Sequence, residues 1–168
     1  MRITRDPALV NFSQLEPGSC FLFASEGPVE LGLVAKMSDG QQIFVVPGPR
    51  DPDANNLPQI YPDHFLMHEE VLHLQEAEIH FNTDVDSISC NLNVNLDYPA
   101  ALYKAQDGLY LRAVYRRANV FWINVITGLV ERKPLGIMFC FNHWDVRWPN
   151  SDGSFQTVQE YTKGRAAK

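Results

Sequence analysis

Cysteine is scarce: three in 168 residues, and Cys20, Cys90 and Cys140 form no CxxC pair. One disulfide would leave an odd thiol, so neither a disulfide framework nor a zinc ribbon has its usual support, and buried reduced thiols are expected. No run of 18 apolar residues is present to span a membrane as a helix. The opening MRITRDPALV lacks the apolar run of a signal peptide, and a cytoplasmic location is expected. The patterns GxxxxGK[ST], GxGxxG and GxSxG are missing as well. Their absence removes the common signs of nucleotide hydrolysis, dinucleotide redox chemistry and a serine-hydrolase elbow, and no cofactor is expected.

Basic residues are scarce in the first part of the chain. Residues 1–99 hold 4 Lys+Arg against 15 Asp+Glu, residues 100–168 hold 10 against 5, and the balances of −11 and +5 give the net −6. Two such parts attract each other within one domain without any partner. The acidic total disfavours extended nucleic-acid binding.

What is present is β-structure. Hydrophobic residues make up 45% and charged residues 20%, as in an ordinary globular chain. Leu15-Glu16-Pro17-Gly18 reads as a turn, followed by apolar strands at Ser19–Ser25, Val29–Met37 and Gln41–Pro47, the last two joined by Ser38-Asp39-Gly40. Residues 47–63 carry five prolines, which predicts a long crossover loop with neither helix nor interior strand. A helical turn at 63–70 and a strand from about 71 follow. Ile88–Asp97 alternates strictly, with Asn91, Asn93, Asn95 and Asp97 on a hydrated face. In Leu135–Trp148 the inward parity switches near Asn142-His143, which predicts a bend where a strand passes between sheets. Asp152-Gly153 turns into Phe155–Tyr161.

The strongest signal is Leu109–Ile126 (LYLRAVYRRANVFWINVI), a hairpin of β-branched and aromatic residues. Placing the loop at Arg117-Ala118-Asn119, with Asn119 left-handed, aligns Leu109, Leu111, Ala113 and Tyr115 with Phe121, Ile123 and Val125 as a core face. The opposite face carries Tyr110, Arg112, Val114, Arg116, Trp122 and Asn124. In this register Val114 faces Trp122, and both arginines lie diagonal to it. The expected architecture is a mainly β domain over residues 1–162, an antiparallel sandwich or partly open barrel built from hairpins, with at most one or two short helical turns and a frayed basic tail at 163–168.

Three constellations could carry function. Tyr110, Arg112, Arg116, Trp122 and Asn124 on an open sheet face suit a protein partner or a small anionic ligand. His143 and Asp145 stand two apart on one strand side, a spacing compatible with a general-base pair in a hydrolase. His64 and His68 stand four apart and could hold a metal with a carboxylate. HEEVLH itself is no HExxH motif, because His68 and His73 are about 500° apart on a helix. The leading expectation is a non-catalytic binding domain; a hydrolase and a structural subunit of an assembly are the alternatives.

Overall fold

The computed structural model describes residues 7–24, 29–48, 58–66, 69–84, 88–91, 101–115, 119–131, 133–134, 138–150 and 152–162. Their strands are β1 (Ala8–Asn11), β2 (Cys20–Ala24), β3 (Val29–Lys36), β4 (Gln42–Val46), β5 (Gln59–Pro62), β6 (Glu70–His73), β7 (Glu78–Phe81) and β8 (Ile88–Asn91). The second half adds β9 (Leu102–Lys104), β10 (Leu109–Tyr115), β11 (Asn119–Asn124), β12 (Val130–Glu131), β13 (Met138–Phe141), β14 (His143–Pro149) and β15 (Phe155–Thr162). The fold is mainly β. Helix among the described residues is limited to 3-10 turns at Phe12–Gln14 and Asp63–Phe65, so the helical turn expected over 63–70 is a single short turn before β6. None of the described helices is long and apolar enough to cross a membrane.

The larger sheet runs β1-β6-β2-β3-β4-β5-β10-β9-β13-β8, and β11 lies on β10 with β12 beyond it. The smaller sheet is β15-β14-β7. Period-two alternation explains how they meet. Leu31, Leu33, Ile43, Val45, Leu111 and Ile123 of the larger sheet share one buried cluster with Trp144, Val146, Trp148 and Tyr161 of the smaller one. The parity switch has the expected cause: β13 pairs in the larger sheet, Asn142 interrupts, and β14 pairs in the smaller.

The opposite face of the larger sheet carries two further clusters. Phe12, Phe21, Phe23, Phe44 and Val71 make the first, in which Phe21 lies against Gly32 so closely that an added Cβ there would sit 2.3 Å from its Cζ. Ala101, Tyr103, Ala105, Tyr110, Trp122 and Cys140 make the second. The Asp-Gly turns at 39–40 and 152–153 behave as their residues require. Gly40 and Gly153 have φ of +90° and +84°, and Asp39 and Asp152 accept hydrogen bonds from the backbone N–H groups of Gln41 and Ser154.

Two expectations are corrected. Residues 59–62 are not loop: β5 pairs antiparallel with β4 and parallel with β10, through Val114↔Gln59, as an interior strand. The prolines permit it because they stand at its margins. Pro58 contributes its carbonyl to the Val114 N–H, and Pro62 ends the strand where the 3-10 turn begins. The hairpin keeps its predicted faces but not its predicted pairing, since Arg112 faces Trp122 and Val114 faces Val120. Asn119 is the first residue of β11, pairs with Tyr115 and has no positive φ, so it is not the left-handed loop residue expected. A slip of two residues preserves parity and therefore costs the core nothing.

Candidate functional site

β10 and β11 bring Tyr110, Arg112, Trp122 and Asn124 to one face, as their alternation requires. That face is not open. Arg112 and Trp122 are each 6% exposed, and Tyr110 and Asn124 are buried too. The sheet continues on both sides of the hairpin: β9 and β13 set Tyr103 and Cys140 in the same cluster, and the Tyr103 ring meets Trp122 edge-on with centroids 5.1 Å apart. Arg116 lies outside the described residues.

The polar groups on this face are unequally satisfied. Tyr110 Oη donates to Glu131 Oε2 at 3.0 Å, and Asn124 Nδ2 donates to Glu131 Oε1 at 3.2 Å. Asn124 Oδ1 in turn accepts from the N–H groups of Ile126 and Thr127. Burial, then the bond to Glu131, holds the Tyr110 phenol well above its ordinary range. Arg112 stands apart from this network. Its Nη1 is buried with no hydrogen-bond partner, and no carboxylate among the described residues pairs with it. It is a buried cation with no counter-charge among the described residues.

The position of Arg112 has a topological cause. One edge of β10 is covered by β11 throughout. The other is shared: β9 pairs with Leu109–Leu111, and β5 reaches it at Val114. Arg112 and Ala113 fall at the seam where one neighbour gives way to the next. Across β11 the same row continues to Glu131, because Arg112 faces Trp122 and Trp122 faces Glu131.

The other sequence candidates are placed differently. His143 Nε2 lies 2.7 Å from Glu160 Oε1, on the adjacent strand, and not on Asp145. Asp145 is gripped by Arg147 through Nε at 2.7 Å and Nη2 at 3.0 Å, with His80 Nδ1 at 3.7 Å. That grip raises the pKa of the arginine. His143 and Asp145 thus share a face but have different partners. His64 stacks on Phe65 with ring centroids 4.7 Å apart, and His68 lies outside the described residues. Among the described residues no three His, Cys, Asp or Glu side chains are grouped to hold a metal. Cys20 and Cys140 are buried free thiols, and burial pushes Cys20 up to about 12, far from a reactive thiolate. A recess between Met37, Ile43, Ile60, Tyr115 and Phe121 has a volume of only about 40 Å³, against roughly 300 Å³ or more for a small-molecule pocket.

Sequence reasoning missed Glu131 and the seam. Glu131 could have been found by carrying the alternation onto the return strand after Gly128. The seam could not, because it depends on a strand hidden among prolines. Comparison of the chain with protein-family models, with curated proteins and with solved structures finds no match.

Proposed function

We propose that this chain is a non-catalytic binding domain and that Arg112 receives the anionic group of a small ligand. The observation that carries this reading is a charged side chain, more than nine-tenths buried, whose Nη1 has no partner. Buried charges in folded proteins are paired, and leaving one unpaired costs several kcal/mol. Sites that bind ligands are where such a cost is accepted, since the incoming group restores what folding gave up. The partners of His143 and Asp145 lend a general-base pair no comparable support.

Isothermal titration of the full chain with small organic anions tests the reading. Binding that disappears in Arg112→Met, with the far-UV spectrum unchanged, is the expected result. Binding that survives the substitution, or a chain that takes up no anion, would remove Arg112 as the receptor.

A further inference from the structure

We propose that the end of β5 and the turn at Asp63–Phe65 dock an arginine-bearing segment of a basic protein partner, on a surface that shares no residue with the Arg112 face. Alternation builds the platform. In β5 Ile60 points into the core between the sheets, so Tyr61 emerges on the opposite face. There its ring stacks on buried Phe44, with centroids 5.2 Å apart and planes 17° apart. Pro62 ends the strand, one 3-10 turn follows, and Leu66 returns the chain to the phenylalanine cluster. Phe65 is held outside that cluster and is 61% exposed. It is braced there: His64 stacks on it at 4.7 Å, and the Tyr61 ring meets it at 85° with centroids 6.1 Å apart. Scattered exposed apolar side chains need no explanation. Here three rings adjoin, and Tyr61 and Phe65 are each backed by another ring, so little side-chain freedom is left to lose on binding.

Charge selects the partner. Asp63 opens the turn that carries His64 and Phe65. Glu30 lies close enough to Tyr61 for its charge, after burial, to raise the phenol pKa. Among the described residues neither carboxylate is paired with Lys or Arg. The surrounding sequence has the same sign, with 4 Lys+Arg against 15 Asp+Glu over residues 1–99. Aromatic faces beside carboxylates attract cations, and a guanidinium stacks flat on a ring where an ammonium does not. An anionic partner is repelled, which sets nucleic acid aside although its bases would stack on the same rings. Phe65 is exposed rather than enclosed, so most of the contact area must come from a partner that extends beyond the rings, as a peptide does.

Fluorescence anisotropy of a labelled Gly-Arg repeat peptide with the full chain at pH 7.5, beside Gly-Lys and Gly-Glu repeats and oligo(dT), tests this. The arginine peptide should bind most tightly, and more weakly as salt rises. Phe65→Ala and Tyr61→Leu should each weaken it about 2–5-fold, the loss of one exposed cation–π contact, with melting curves to show both variants folded. Asp63→Asn should weaken it as well and reduce its salt dependence. An arginine peptide that fails to bind, binds no better than the lysine peptide, or binds wild type and both ring variants equally would overturn the proposal. Oligo(dT) that binds more tightly than the peptide and is lost in Phe65→Ala would overturn it too, by assigning the rings to nucleic acid.

Discussion

Replacing Arg112 by methionine should make the ligand-free protein more stable. A buried arginine usually anchors a network, and its loss then costs several kcal/mol because partners are stranded. Arg112 has no such partners among the described residues: its Nη1 is unbonded, and Tyr110, Asn124 and Glu131 satisfy one another without it. Methionine nearly fills the volume of the stem and leaves no charge behind. Exchanging buried charged groups for apolar ones of similar size stabilises by about 1–4 kcal/mol. The guanidinium gives back about 0.5–1 kcal/mol if it lies over Trp122, the residue directly opposite. The net gain is then roughly 1–3 kcal/mol, and at about 2–4 °C per kcal/mol for a chain of this length the Tm should rise by about 2–12 °C. Circular-dichroism melts at pH 7, with urea titrations to check that m is unchanged, measure it directly. A Tm lowered by several degrees would mean that the guanidinium is satisfied within the fold, and the argument for a ligand would lose its basis.

Two further perturbations test the packing and the ionisation. Gly32→Ala sets a methyl group 2.3 Å from Cζ of Phe21, a ring with no exposed surface that is wedged against Phe12 and Phe44. It should cost about 1–3 kcal/mol of overpacking, and an unchanged urea midpoint would show the ring free to move aside. Burial lowers the pKa of His73, so the unfolded chain takes up that proton first, and stability should decline as pH falls below about 6.5. Burial raises Tyr110 and Tyr161, so their contribution is complete below about pH 10 and is lost above it. Urea midpoints from pH 5 to 11 should show both slopes. His73→Gln should flatten the acid slope and Tyr161→Phe the alkaline one.

What the sequence made legible follows from parity. Faces survived where pairing did not. The hairpin register was misplaced, yet Leu111, Ala113 and Ile123 still point into the core, because the shift was by an even number of residues. The passage of the chain between sheets was visible because Phe141 and Trp144, both buried, fall on opposite parities across Asn142. β7 was not separated from β6, because the break falls at Glu76, whose φ of +62° no glycine or asparagine announces. The burial of Arg112 was illegible for a different reason. Its neighbours on that face, Tyr110 and Trp122, cluster with Tyr103 and Cys140, residues whose positions beside the hairpin are set by strand order rather than by anything within the hairpin. The asparagine row beyond Asn91 lies outside the described residues.

The prolines around β5 act as mechanical stops. β5 has four residues, with Pro58 before it and Pro62 at its end, and among the described strands it joins β4 to β10 in the larger sheet. Sliding it by one position would exchange the faces of Ile60 and Tyr61, expelling a core side chain, and would ask a proline ring to fill a ladder position that needs a donor. The strand is therefore wedged in one place, and with it the offset between β5 and β9 along β10 that leaves Arg112 at the seam. The residues that hide this strand from a reader of the sequence are the ones that keep it from moving.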